Sequence, residues 1–146
     1  MDQSELLVHL KGIHGVSIDD ISGIDPMMVR SFIDHEDERV AANAVFLSRL
    51  FPSQIALSLF EAAVQSNREA VVVAAASFAL HLTDADAESV LKTILTVSNN
   101  RSVLRAAFRS ASTLHLEKLR IHMQAALEKL PEGGFRDSAK IELDNM

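Results

Sequence analysis

The sequence predicts an all-α protein assembled from stacked helical hairpins. The first reason is a repeat with a period of 32 residues between positions 34 and 130. The second is the apolar spacing within each repeat, i, i+3, i+4 and i+7, which is typical of helices and not of strands. The third is the frequency of small residues in mid-helix, with no Trp or Tyr and only seven Phe. A period of this length indicates a solenoid, because one unit cannot bury its apolar face alone.

Each full repeat is expected to begin with a helix cap and to place apolar residues at fixed positions. Asp34, Ser66 and Ser98 share one phase, and side-chain oxygens of this kind cap helix starts. Apolar or small residues follow in the same register: Val40, Val72 and Leu104; Ala42–Asn43, Ala74–Ala75 and Ala106–Ala107; Leu50, Leu82 and Leu114; Leu59, Leu91 and Met123. The pattern predicts two helices per unit.

Residues 1–33 extend the array as a degenerate capping unit. Ser4 is expected to cap a first helix that Gly12 and Gly15 end. Pro26 suits the start of a second helix. The 32-residue register continues into this unit through two pairs: Val8 with Val40, and Met27 with Leu59. Such a unit is needed because the end of a solenoid must be polar or covered.

The remaining chain divides into three full repeats, 34–65, 66–97 and 98–130, and a C-terminal capping helix, 131–146. Thr83 with Asp86 resembles a capping box at the start of a second helix. Gly133 and Gly134 form a stop between helices. The last helix is expected to turn Ala139 and Leu143 inward. All of these units form one predicted domain, 1–146.

The first helices of the repeats carry a resemblance to a known superfamily. The segments 37–42, Asp-Glu-Arg-Val-Ala-Ala, and 101–107, Arg-Ser-Val-Leu-Arg-Ala-Ala, resemble the short bacterial form of the HEAT-like repeat. The segment 69–75 departs from the pattern because it has no arginine, and the usual helix-breaking proline is absent. The resemblance implies a right-handed α-α superhelix of about four hairpins plus a C-terminal helix. Tetratricopeptide and ankyrin signatures are missing.

Composition excludes several classes of function. The net charge of −6 and a pI of about 5.4 disfavour nonspecific binding to nucleic acid or anionic membranes. The absence of cysteine removes disulfides, thiolate nucleophiles and thiolate metal ligands. No apolar run of 18 residues occurs, and Met1-Asp2-Gln3-Ser4-Glu5 lacks the basic start of a signal peptide. We therefore expect a soluble cytoplasmic protein.

Histidines and serines give no catalytic or metal site. None of His9, His14, His35, His81, His115 and His122 forms the i, i+4 pair with an adjacent acid that a helical zinc site needs. His115 and His122 could share a face, but they lack a third ligand. HEAT-like di-iron hydroxylases repeat a His-Glu pair; here His35-Glu36 is matched by Asn67-Arg68 and Asn99-Asn100. No Gly-x-Ser-x-Gly elbow or phosphate loop occurs. We expect no catalytic residue, metal or cofactor.

Two enzyme classes remain from the resemblance. HEAT-like DNA glycosylases need a basic channel with aromatic residues, which an acidic chain without Trp or Tyr does not offer. HEAT-like subunits of chromophore lyases carry the same repeat, so an enzyme or accessory subunit of that type is the alternative to a non-enzymatic module.

A column on the second helices is the first candidate surface. The column takes the residues at positions i, i+4 and i+8 from the second helix of each hairpin. These residues are mostly apolar in the N-terminal half of the chain and mostly polar or charged in the C-terminal half. If it faces solvent, it forms an apolar patch of the kind that marks a protein interface; if it is covered, it is ordinary core. The candidate contacts in this column are Met28, Phe32, Phe60, Val64 and Lys92.

A row of arginines is the second candidate surface. Arg101, Arg105 and Arg109 are spaced by four on one predicted helix, so they share a face. Guanidinium groups suit carboxylates or phosphates. The alternative is that the row is a solvated helix face paired to nearby acids such as Glu69 or Glu38. The acidic run 34–38 near the other end favours head-to-tail self-association.

These observations lead to one functional hypothesis. The chain is expected to be a non-enzymatic interaction module, acting as an adaptor, an inhibitor or an immunity-type factor. It would bind a protein or peptide on the second-helix face, with homo-oligomerisation as a further option.

Overall fold

The computed structural model describes residues 1–12 and 23–146, and over these ranges the chain is helical with no strand. The α-helices are α1 (Gln3–Leu10), α2 (Pro26–Ile33), α3 (Glu38–Ser48), α4 (Ser53–Gln65), α5 (Glu69–Phe78), α6 (Asp84–Val97), α7 (Arg101–Thr113), α8 (Arg120–Leu127) and α9 (Gly134–Asp144). Short 3₁₀ turns, Ala79–His81 and Glu117–Leu119, follow α5 and precede α8. The prediction of an all-α fold is confirmed. None of the described helices is long and apolar enough to cross a bilayer.

The chain divides into two compact units, and the division falls within α5. The first unit is Met1–Ala75. In it α2 packs on α3 and α3 packs on α4, so consecutive helices form hairpins. In addition α1 lies against α3, and α2 lies against α4. Corresponding helices of neighbouring hairpins are therefore adjacent in this unit.

The second unit, Ala76–Met146, repeats this arrangement with later helices. Here α6 packs against α7 and α8, while α9 packs against α7 and α8. Its core is formed by fully buried side chains from four helices, among them Leu91, Ile94, Leu104, Phe108 and Met123. Burial of each such side chain contributes about 1.5–3 kcal/mol, and this apolar core holds the hairpins together.

The apolar register of the three full repeats is confirmed by burial at two of its positions, whereas Leu50, Leu82 and Leu114 are only half-buried. Val40, Val72 and Leu104 are all buried, at 0, 8 and 0% exposure. The second-helix positions agree equally well, because Leu59, Leu91 and Met123 are 4, 0 and 0% exposed. A spacing of 32 residues therefore places equivalent side chains in equivalent packing positions.

The same register is wrong in the N-terminal unit. Val8 and Met27 are each 72% exposed, whereas their expected counterparts Val40 and Leu59 are buried. On α1 it is Leu6 and Leu10 that are buried, and on α2 it is Val29, Phe32 and Ile33. The inward face of this unit is shifted relative to the 32-residue spacing.

The prediction that Asp34, Ser66 and Ser98 cap the starts of helices is also wrong. These residues are the C-terminal caps of α2, α4 and α6, so each closes the preceding helix. The residues that accept amide hydrogens at the starts of α3 and α7 are Asp37 and Asn100. Short polar side chains stabilise turns at either end of a helix. The position of these residues within the 32-residue repeat therefore does not tell whether they start one helix or end the one before it.

Other predicted boundaries agree with the structure or shift by a few residues. Pro26 is the first residue of α2, and Thr83 caps α6 by accepting the amide hydrogen of Asp86. The cap of α1 is Asp2 and not Ser4. Gly133 directly precedes α9, with φ +137°. The predicted break at Gly15 and the residue His14 lie outside the described residues.

Side chains bind main-chain carbonyls that lie about one repeat length earlier in the sequence. Asn43 Nδ2 donates to Leu10 O at 2.7 Å, Arg68 Nη1 to His35 O at 2.6 Å, and Ser110 Oγ to Ala76 O at 2.6 Å. Lys129 Nζ donates to Leu95 O, Thr96 O and Ser98 O at 3.0, 2.9 and 3.2 Å. The partners are separated by 31 to 34 residues in sequence. Carbonyls near helix ends lack intrahelical partners, and these donors satisfy them from the following hairpin.

Candidate protein-binding surface

The apolar column on the second helices is largely core. Phe32 is 3% exposed and Phe60 is 0% exposed, while Met28 and Val64 are half-buried. The two phenylalanines lie on α2 and α4, which pack against each other. The prediction that Phe32 and Phe60 belong to an exposed patch is therefore wrong. The alternative prediction, that these two residues are ordinary core, is confirmed.

The arginine row lies on one face of α7, as the spacing predicted. Arg101 and Arg109 are exposed, and Arg105 between them is half-buried. The helix runs from Arg101 to Thr113 and is capped by Asn100, whose side-chain oxygen accepts the amide hydrogens of Ser102 and Val103. We call Arg101, Arg105 and Arg109 the arginine ridge.

No acid of the same unit neutralises the arginine ridge. Helix α7 contains no Asp or Glu. Within residues 76–146, all of which the structure describes, none of the three arginines forms an ion pair. Arg101 is the first residue of α7, where the positive end of the helix dipole disfavours a cation. The ridge therefore does little to stabilise its own helix.

The central arginine has an unsatisfied group. The Nη1 atom of Arg105 is buried and has no hydrogen-bond partner in the described part of the chain. A buried donor without a partner costs about 1–3 kcal/mol, and more when it is charged. This cost belongs to the fold itself, because a buried atom is out of reach of a partner, and only the exposed part of the half-buried Arg105 side chain can take part in binding.

Phe135 of α9 extends the ridge at its N-terminal end. The guanidinium carbon of Arg101 lies 4.9 Å from the centre of the Phe135 ring, and Phe135 is 39% exposed. Stacking on the ring orders the arginine and leaves the edge of its guanidinium group available for hydrogen bonds. Phe135 is not among the contact residues that the sequence predicts. No pattern within one helix could have found it, because the pair joins α7 to α9.

A row of small side chains lies beside the ridge. Ser102, Ala106 and Ser110 follow Arg101, Arg105 and Arg109 by one residue each. Ser102 and Ala106 are half-buried, whereas Ser110 is buried and its Oγ atom binds the Ala76 carbonyl. The row of small side chains therefore leads from two half-buried positions into the contact between α7 and the end of α5.

The charged half of the second-helix column is exposed at Lys92 of α6, at Gln124 of α8 and at Glu128, the residue directly after α8. Beside it Arg120 binds Glu117, with an Nε–Oε2 distance of 3.1 Å. This side-chain hydrogen bond, helped by the positive charge of Arg120, lowers the pKa of Glu117 below its ordinary value. Arg120 also donates to the carbonyls of Leu143 and Met146, so it closes the C-terminal end of α9.

The histidines do not form a site in the described ranges. His115 lies between α7 and α8 with φ +53°, so it does not share a helix face with His122 of α8. His35 Nδ1 accepts the amide hydrogen of Asp37 at 3.0 Å, which is a local turn interaction. Over residues 1–12 and 23–146 no group of three or more His, Asp or Glu is placed to hold a metal ion.

The acidic run between α2 and α3 is partly engaged. Asp34 pairs with Arg30 at 2.7 Å, and Asp37 caps α3. The main-chain carbonyl of Glu36 accepts a hydrogen bond from Arg68. The side chains of Glu36 and Glu38 are exposed.

Comparison of the chain with protein-family models, with curated proteins and with solved structures finds no match.

Proposed function

We propose that the protein is a non-enzymatic protein-binding module, built as a HEAT-like α-solenoid, which holds an acidic segment of its partner on the arginine ridge. The observation that carries the proposal is the ridge itself. Arg101, Arg105 and Arg109 share one face of a helix without acids, and no acid of their own unit pairs with them. Carboxylates of a partner protein would satisfy these groups by charge-assisted hydrogen bonds.

Two features support the solenoid part of the proposal. Within each compact unit, corresponding helices of neighbouring hairpins lie side by side. Within each unit, donors also reach back by 31 to 34 residues to the preceding repeat, as Asn43 and Lys129 do. Both features are expected where hairpins stack in phase.

The choice of the ridge over the second-helix face follows from burial. Phe32 and Phe60 are core, and a partner could reach them only by opening α2 and α4. Lys92 is exposed, and it would be the contact that the second-helix face contributes. A row of arginines favours a protein partner with carboxylates, because the chain as a whole carries a net charge of −6 and repels polyanions such as nucleic acid.

The test is affinity capture from the source lysate with the wild-type chain and with Arg105→Glu. We expect one protein to be recovered by the wild type and lost with Arg105→Glu, while far-UV circular dichroism stays unchanged. Arg39→Glu is the matched control, because Arg39 is exposed on α3 and the substitution changes the net charge equally. Equal capture by wild type and Arg105→Glu contradicts the proposal.

The same preparation tests the non-enzymatic part of the proposal. Metal analysis and an absorption spectrum of the purified protein are expected to show no stoichiometric iron or zinc and no coloured ligand. A bound metal or a chromophore would favour the alternative, an enzyme or an accessory subunit of the chromophore-lyase type.

A further inference from the structure

We infer that the arginine ridge binds a preformed α-helix of another protein, one that carries carboxylates at positions i, i+4 and i+8. This inference rests on the proposed function and specifies the form of the partner. It begins from the geometry of α7, on which Arg101, Arg105 and Arg109 are four residues apart.

The spacing of the ridge matches the row of an acidic helix. Successive arginines are separated by about 6 Å along the axis of α7, since each residue rises by about 1.5 Å. A partner helix with acids at the same interval has the same rise. Rows of this kind on two helices become parallel when the axes cross at about −50°, the commonest class of helix packing. Three carboxylates then face three guanidinium groups together.

The surface beside the ridge allows such a helix to approach. Ser102 and Ala106 follow Arg101 and Arg105 by one residue and have small side chains, so they do not project past the arginines toward a partner. Phe135 at the N-terminal end is 39% exposed and already stacked on Arg101. It offers an apolar contact beside the first carboxylate and limits the entropy that Arg101 loses on binding.

Entropy favours a helix over an extended acidic segment. In a strand, acids at alternate positions are also about 6.6–6.8 Å apart. The spacing of the arginines alone therefore does not distinguish an extended segment from a helix. An extended segment gains nothing from its backbone here, because α7 offers no sheet edge to pair with. It would also lose about 1–2 kcal/mol of backbone entropy per ordered residue. A preformed helix avoids most of this loss.

A second copy of this chain does not meet the requirement. Pairs of acids four residues apart occur, as at Asp84 and Glu88, but position 92 is Lys. Glu128 and Glu132 are followed by Arg136. No row of three acids at i, i+4 and i+8 exists anywhere in the sequence. The ridge therefore fits a different protein better than it fits self-association.

The experiment is an NMR titration of the ¹⁵N-labelled full chain with synthetic peptides. The first is an Ala-rich helical peptide of about 20 residues, long enough to be helical in isolation, with Glu at i, i+4 and i+8. The second has the same composition with the three Glu on different faces. The third is an extended, proline-containing peptide with Glu at alternate positions. Amide shifts on α7 report the site, and their concentration dependence gives Kd.

We expect the in-register helix to bind about 10-fold more tightly than either control peptide, as three weakly stabilising exposed pairs acting together would produce. Binding should weaken as salt is raised and should be lost with Arg105→Gln but kept with Arg39→Gln. Equal binding of the two helical peptides, tighter binding of the extended peptide, or no binding to the folded chain overturns the inference. Capture of a partner by wild type but not by Arg105→Glu would still support the proposed function in each of these cases.

Discussion

The side-chain oxygen of Ser110 donates a hydrogen bond of 2.6 Å to the main-chain carbonyl of Ala76, 34 residues earlier in the sequence. Ser110 is 1% exposed, so water does not replace the bond. It joins α7 to the end of α5 inside the second compact unit.

Removal of this hydroxyl should destabilise the protein. Ser110→Ala is expected to lower the free energy of unfolding by about 1–2 kcal/mol, because it leaves a buried acceptor without this donor. Ser48→Ala is the matched control. Ser48 is equally buried, but its Oγ atom binds Ala44 O within the same helix, where the carbonyl also takes part in the helix ladder. Urea denaturation measures both, and an equal loss for the two variants would contradict the prediction.

Phe60 should behave as a core residue. Phe60→Ala is expected to cost about 3–5 kcal/mol, the usual range for a fully buried phenylalanine. Phe135→Ala is the contrast, because Phe135 is 39% exposed and its stack on Arg101 is worth about 0.5–1 kcal/mol. Thermal unfolding followed by circular dichroism compares them. A small effect at Phe60 would return it to the list of surface contacts.

The two adjacent glycines before α9 should respond oppositely to alanine. Gly133 has φ +137°, a conformation that side chains rarely adopt, so Gly133→Ala is expected to cost about 1–3 kcal/mol. Gly134 is the first residue of α9 with open space at its Cβ position. Gly134→Ala should therefore be neutral or stabilise by up to about 1 kcal/mol. Urea midpoints that move in the same direction for both would be inconsistent with this backbone.

The Glu117–Arg120 pair should contribute to stability in a pH-dependent way. Because the hydrogen bond from Arg120 and then its charge lower the pKa of Glu117 in the folded state, the contribution is fully present above the pKa of an unfolded glutamate, about 4.3. It is lost as pH falls through the lower folded-state pKa. NMR titration of the Glu117 carboxyl should show a midpoint below the ordinary value, which Arg120→Met raises and Arg109→Met leaves unchanged. A midpoint that does not respond to Arg120→Met would refute the pairing.

The sequence was sufficient where packing follows a strict period. Val40, Val72 and Leu104 are buried because each is the third or fourth residue of a first helix, on the side that faces the core. The period failed at Val8 and Met27 because the N-terminal unit does not keep the 32-residue spacing, and one extra residue rotates a helical side chain by about 100°.

The candidate surface was only partly predictable for a related reason. A row at i, i+4, i+8 turns by about 40° per step around a helix, so one row can pass from the core to solvent. Burial of Phe32 and Phe60 is a property of how α2 meets α4, which no single-helix pattern contains. The arginine ridge was predictable because all of its members belong to α7. The contact with Phe135 and the unsatisfied Nη1 of Arg105 depend on tertiary packing.

The donors that reach back one repeat make the ends of earlier helices depend on later parts of the chain. Carbonyls at the end of α6 accept hydrogen bonds from Lys129, and the Leu10 carbonyl at the end of α1 accepts one from Asn43, so these bonds need residues 31 to 34 positions further along the chain. Each of these helix ends therefore completes its hydrogen bonds through a later segment of the chain. Such nearest-neighbour coupling makes adjacent hairpins fold cooperatively, so weakening one donor should loosen its predecessor before its own helix.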